Sequence, residues 1–178
     1  MGNMEPRGLR HYLRQKRESL FAAKQARPHG DDWTETVEAT VVADDLTGVR
    51  KLRIRDWQFI GDSGPAFGGW SLGPSSPELL CGVLGTCLTH TYEIGAAMLE
   101  IPLDRVEVRV SAKNNDAAFL SIATDAPSLP WDITANVSLD APDATPEQVA
   151  TLHRYARERC PLTKLIREPQ EVTIVESV

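Results

Sequence analysis

Residues 68–99 read GGWSLGPSSPELLCGVLGTCLTHTYEIGAAML, a glycine-rich loop followed by one long, almost uncharged helix with Cys87 near its middle. Ser76 precedes Pro77, whose fixed φ and missing N–H suit the first helical position. Glu78 then sets a carboxylate against the positive end of the helix. Downstream, Leu79, Leu80, Val83, Leu84, Cys87, Leu88, Thr91, Ile94, Ala97 and Met98 leave almost no polar face, so the pattern predicts a helix inside the protein. Gly82 and Gly85 each cost about 1 kcal/mol relative to alanine in a helix interior, which points to close approach of another backbone there.

Upstream, residues 5–26 (EPRGLRHYLRQKRESLFAAKQA) carry Leu9, Leu13 and Leu20 on one stripe and predict an amphipathic helix, ended by the linker RPHGDD at 27–32. Between Glu5 and Arg27 seven Lys or Arg face two Glu, a local charge of +5, and the whole chain is −6, so the remainder carries −11. Such a basic run is expected to be a solvated helix face. The acidic balance of the rest argues against a general nucleic-acid binder. Residues 34–45 and 49–62, on either side of a turn at Thr47–Gly48, predict an antiparallel hairpin. In its second strand Arg50 shares parity with Leu52 and Ile54.

After the central helix, strands are expected within Ile101 to Asn115, over 119–124 (FLSIAT) and over 131–140. Thr145, Pro146 and Gln148 form a capping-box start for a further helix. That helix should stop at Cys160, because Pro161 disfavours helical geometry in its predecessor. One more helical turn and a closing strand, EVTIVESV (171–178), complete the chain. Helices and strands follow each other in runs without strict alternation, which predicts an α+β fold. No apolar signal core opens the sequence, and the long apolar helix carries His90 and Glu93, so neither secretion nor a membrane span is expected. Three cysteines are too few for a disulfide scaffold and fit free thiols in a reducing cytoplasm.

The chemistry therefore centres on sulfur. Cys81 and Cys87 are six positions apart on one helix and point in different directions, so they do not pair with each other. Cys81 reads as packing. Cys87 on the central helix and Cys160 at the end of the other internal helix are candidates for a redox pair. A tetrahedral metal site built from Cys87, His90, His153 and Cys160 competes for the same atoms, although neither spacing is one of the tight paired zinc motifs. Phosphate-loop, nucleophile-elbow and HExxH patterns are absent from the sequence.

Taken together, GGWSLGPSSPELL, LGTCLTHTY, IPLDRVEVRV and ERCPLTKLI resemble, in order and spacing, the OsmC-like superfamily of osmotically induced and organic hydroperoxide resistance proteins. The resemblance covers about residues 36–178; it makes 34–178 the family domain and 1–33 a basic helix and linker outside it. It implies antiparallel sheets wrapped around buried central helices in an intertwined homodimer. It also implies a thiol peroxidase without a cofactor or metal, reducing organic, lipid-like hydroperoxides. Cys87 would attack the O–O bond and become a sulfenic acid, Cys160 would condense with it to a disulfide, and a dithiol reductant would restore both. Arg50 matches the family arginine that favours the thiolate, with Arg53 the alternative. A second implication, from a different class, is a non-enzymatic family member that binds a small hydrophobic ligand where two subunits meet.

Overall fold

The computed structural model describes residues 8–168 and 170–176. Its elements are α1 (Leu9–Ala26), β1 (Thr40–Ala43), β2 (Arg50–Ile54), β3 (Trp57–Gly61), α2 (Ser76–Leu99), β4 (Arg105–Lys113), β5 (Trp131–Asp140), α3 (Pro146–Arg159) and α4 (Pro161–Arg167). Two compact units share them. One takes residues up to 22, 84–109 and those from 135 on; the other takes 23–83 and 110–134.

The first unit holds a core of Leu13, Tyr92, Ala96, Ala97, Ile101, Leu103, Leu152 and Ala156. Leu13 comes from the amphipathic stripe of α1, with Leu9 and Leu20 packed beside it. Part of the basic face of that helix, expected to be solvated, meets acids of its own unit, while Arg14 and Lys24 are exposed as expected. Arg10 reaches Asp104 and Asp143 at 2.5 Å each, Lys16 reaches Glu93 at 3.3 Å, and Arg17 reaches Glu100 at 3.1 Å. The long arms of these residues make the difference, since they lay their stems along the helix and bring the charge to neighbouring carboxylates.

α3 begins as its sequence predicts. The Thr145 side chain accepts from the Gln148 N–H while Gln148 accepts from the Thr145 N–H, and Pro146 occupies the first turn. It ends at Cys160, whose extended backbone (φ −65°, ψ 113°) is the conformation that a following proline imposes. Pro161 then opens α4, so Cys160 closes one helix and starts the next.

α2 and α3 meet most closely at Gly95. A Cβ there would lie 2.7 Å from Tyr155 Cδ1 and 2.9 Å from Leu152 Cδ1. At Gly82 a Cβ would meet nothing within 4 Å among the described residues, so they do not make the close approach expected there. Burial explains the difference. α2 is buried at Leu84, Leu88, Thr91, Tyr92 and 95–97, but Leu80 (41 %) and Val83 (53 %) are exposed, so its first turns are not the interior helix that composition predicts.

In the second unit β1, β2 and β3 form an antiparallel sheet in that order, with Arg50 opposite both Ala43 and Gly61. The stretch expected as one strand over 49–62 is two strands. Arg55 adopts φ +52° and folds the chain back, setting Ile54 opposite Trp57. The preceding strand is confined to Thr40–Ala43, and the turn at Thr47–Gly48 is present, with Asp44 accepting from the Thr47 N–H and hydroxyl.

Two further strand expectations fail. Residues 116–120 form a 3-10 turn and 121–124 no strand: Asn115 caps the Ala117 N–H, and Ser121 takes a left-handed φ of +54°. Over 171–176 no strand forms within the chain, where Val172, Ile174 and Val175 are exposed; 177 and 178 lie outside the described residues. β4 and β5 are strands as the sequence predicts, and they pair with each other. Among the described residues no helix is long and apolar enough to cross a membrane.

Because the atoms facing Gly95 belong to a filled core, Gly95→Ala should lose stability. Overpacking costs about 1–3 kcal/mol, against a helix-propensity gain of about 1 kcal/mol. The expected result is a lower urea midpoint; one at or above wild type would mean that Leu152 and Tyr155 swing aside freely.

Candidate functional site

The interruption at Cys160 decides where sulfur meets sulfur. Cys160 Sγ, fully buried, lies 3.5 Å from Cys87 Sγ on α2, both within the first unit and both free thiols. A disulfide needs about 2.05 Å, so the pair stands in contact and unbonded. Cys81, also a free thiol, is partly exposed.

Thr91, one turn beyond Cys87, donates its hydroxyl to the Cys87 carbonyl at 2.8 Å and borders both sulfurs. From α4, the Leu162 N–H is directed at Cys87, and the Thr163 N–H and hydroxyl are directed at Cys160. Neither Thr163 group makes a bond of ordinary hydrogen-bond geometry; the hydroxyl is a buried oxygen without a partner.

These surroundings treat the two thiols differently. Burial pushes the Cys87 thiol up, the Leu162 N–H opposes this, and the neighbouring Cys160 reinforces it. At Cys160 burial also pushes upward, but the Thr163 hydroxyl and N–H, Cys87 and Thr91 outweigh it and the net displacement is downward. None of these influences is a positive charge, so dipoles alone favour a thiolate.

The competing metal set does not assemble. His153 shares a 2.8 Å hydrogen bond through Nδ1 with the buried Tyr92 hydroxyl, and His90 is exposed. No group of three or more His, Cys, Asp or Glu able to hold a metal occurs among the described residues.

Arg50 lies in the second unit, where its Nη1 donates to Ser63 Oγ at 3.3 Å. Arg53 turns instead to the Arg55 carbonyl at 3.1 Å. Next to Ser63, the Asp62 carboxylate is 2 % exposed and gathers the glycine-rich loop by accepting from the N–H groups of Ser63 (2.7 Å), Trp70 (3.0 Å) and Leu72 (3.0 Å). The second of the paired glycines makes this closure possible, because a Cβ on Gly69 would sit 2.0 Å from the Ser63 carbonyl oxygen. The N–H groups of Leu72 and Ser63 hold Asp62 below the usual carboxylate range against the opposing effect of burial, with smaller help from Trp70 and the Arg50 charge.

Of the residues that sequence reasoning put forward, Cys87 and Cys160 lie in contact, while Arg50 is in the second unit and bonded to Ser63. Thr163 was missed as a contributor, whereas Asp62 is the carboxylate nearest the paired glycines in the sequence. Thr163 is three residues after Cys160, at the helix position whose N–H faces a capping side chain, and that spacing was a usable signal.

Comparison with known proteins places residues 68–175 within the model for OsmC-like proteins, a match that includes both Cys87 and Cys160. No curated protein sequence matches the chain significantly. Among solved structures, an OsmC-like protein from Mycoplasma pneumoniae is similar with a TM-score of 0.62 at 15 % identity, over 75 % of this chain and 88 % of that one. An OsmC-like protein of unknown function from Vibrio cholerae is similar with a TM-score of 0.55 at 10 % identity, over 74 % and 93 %. An organic hydroperoxide resistance protein from Legionella pneumophila is similar with a TM-score of 0.51 at 16 % identity, over 75 % and 90 %. At these identities the similarity concerns the fold, mixed helix and antiparallel sheet.

The depressed Asp62 ionisation has a sign that can be checked. Its hydrogen bonds add stability above the unfolded aspartate value of about 3.9, and that share disappears as pH falls through the lower folded value. Asp62→Asn should lower the denaturation midpoint at pH 7, and the gap to wild type should close below about pH 4. A gap that stays constant to low pH would mean that the carboxylate charge is not what holds the loop.

Proposed function

Since the chain belongs to the OsmC-like family, whose members include proteins named for organic hydroperoxide resistance, we propose that it is a thiol peroxidase acting on organic hydroperoxides. The observation that carries this reading is the 3.5 Å contact between the sulfurs of Cys87 and Cys160. It is the arrangement that a two-thiol cycle needs and that two inert core cysteines do not.

In the cycle the Cys87 thiolate attacks the terminal peroxide oxygen, and the O–O bond breaks. An S–O bond forms, and the alkoxide takes up a proton and leaves as the alcohol. The Cys160 thiolate then attacks the sulfenic sulfur, the S–S bond forms, and hydroxide leaves to be protonated to water. An external dithiol returns two electrons to the disulfide.

Three further parts belong to the proposal. Arg50 supplies the positive charge that the surroundings of Cys87 lack. A second copy of the chain covers the apolar residues Leu80 and Val83 of α2 and the exposed Val172, Ile174 and Val175. The free thiols suit a reducing compartment such as the cytoplasm.

One observation favours the alternative of a non-enzymatic ligand-binding protein. Burial pushes Cys87 upward, and no cation is among the strongest influences on it. A thiol in that state is a poor nucleophile at neutral pH.

The test is intact and peptide mass spectrometry of the reduced protein after one equivalent of cumene hydroperoxide, beside Cys87→Ser. The peroxidase reading expects wild type to lose two hydrogens within seconds and to yield a Cys87–Cys160 crosslinked peptide that the variant lacks. Arg50→Met should slow that loss by about tenfold or more, the effect of removing a charge worth at least about 1.4 kcal/mol. Thiols that stay reduced for many minutes in wild type would leave the ligand-binding reading.

A further inference from the structure

Buried hydroxyls without a partner are uncommon in folded proteins, because each forfeits a bond it had in water. The Thr163 oxygen is such a group, and it faces the fully buried Cys160 sulfur. A neutral thiol is a weak acceptor, whereas a thiolate accepts strongly from O–H donors. The unfilled hydroxyl is thus matched to a charge absent from the resting dithiol and present only when Cys160 ionises.

We propose that Thr163 is a positioning residue that reserves its hydroxyl for the Cys160 thiolate, readying Cys160 to close on an oxidised Cys87. Local sequence fixes the arrangement. Pro161 holds Cys160 extended at the start of α4, and Thr163 lies on the first turn of that helix with its N–H turned the same way as its hydroxyl. The titratable group facing Cys160 from the packed element α2 is Cys87 itself, with Thr91 beside both; the nearby Arg159 is stacked on the Tyr155 ring at 4.5 Å. Thr91 has its own acceptor, the Cys87 carbonyl, and so is less free to follow the charge.

The consequence for the cycle rests on the peroxidase reading. Thr163 keeps its proton throughout. It assists the second step, where the Cys160 sulfur forms the S–S bond, the S–O bond of Cys87 breaks and hydroxide leaves. The first step, at Cys87, does not involve it. Loss of the hydroxyl should therefore lengthen the life of the Cys87 sulfenic acid once it has formed.

The experiment has two arms on the full chain. In a Cys81→Ser, Cys87→Ser background, ultraviolet thiolate absorbance titrates Cys160 alone. There Thr163→Val should raise the midpoint by about one pH unit, as expected for one hydrogen bond to a charged group. Thr163→Ser should restore it. With wild-type cysteines and one equivalent of cumene hydroperoxide, Thr163→Val should form the disulfide about tenfold more slowly at pH 7 and accumulate dimedone-trapped Cys87, and Thr163→Ser should behave as wild type.

An unchanged Cys160 midpoint in a Val variant whose circular dichroism and thermal midpoint match the parent overturns the proposal. If Val destabilises the fold, Thr163→Ser and Thr163→Ala decide it: equal midpoints for the two overturn it, and a higher one for Ala supports it. A shifted midpoint together with wild-type protein that never oxidises defeats the peroxidase reading and upholds the contact between Thr163 and Cys160.

Discussion

The arrangement of the thiol site depends on one backbone constraint, the clash between a proline ring and a helical predecessor. Pro161 forces Cys160 out of α3 after Arg159 and at once serves as the first residue of α4. The chain breaks direction at a single residue, and that residue carries a sulfur. Were α3 to run on, Cys160 would be one more position on a helix surface. With the break, its sulfur is carried into a fully buried place against α2. Gly95 supports this by admitting the side chains of Leu152 and Tyr155 close to the α2 backbone.

Electrostatics at the site follow from what the break brings along. The N–H groups of Leu162 and Thr163 are among the first of α4, unpaired within the helix and turned toward the sulfurs. They partly offset the desolvation that any buried thiol suffers, and they do so unequally. The Cys87 thiol, proposed as the first nucleophile, stays pushed upward by its burial. A peroxidase built on this chain therefore needs a charge from outside the immediate surroundings of Cys87, and that is the part proposed for Arg50. The arginine is itself held by Ser63, beside a carboxylate whose oxygens are occupied by loop amides.

Much of this was readable from local rules. The Thr145–Gln148 box and Pro161 each act over four residues or fewer and produced the expected boundaries, while α2 begins at Ser76, one residue before the Pro77 start that the sequence predicts. The acidic first turn of α2 is present too, although Glu78 accepts from Ser75, one residue before the Ser76 of the sequence reading. Readings that failed are those where tertiary context outweighs propensity. FLSIAT has strand composition, yet its neighbourhood is a capped 3-10 turn. The long second strand split because Arg55 accepts a left-handed turn that no glycine or asparagine announced. EVTIVES alternates as a strand should, but alternation only states that a partner edge is needed and not which chain supplies it. The thiol pair was legible through Cys87 and Cys160, whereas the role of Thr163 depends on how α4 leaves the break, a three-dimensional fact.

The ion pairs of α1 carry a consequence for how the protein is made. Arg10 is bonded to Asp143, 133 positions later in the chain, and Leu13 packs in a core completed by Leu152 and Ala156. On the ribosome this helix emerges well before Asp143, Leu152 and Ala156, so its apolar stripe waits uncovered until they are made. Non-local closure of this kind slows folding, and exposed apolar stripes in the interval invite association. The dense positive charge that later engages Asp104, Asp143, Glu93 and Glu100 surrounds the stripe during that wait. The same residues thus act twice, first as self-repelling groups that keep unfinished chains apart and then as the pairs that dock the helix.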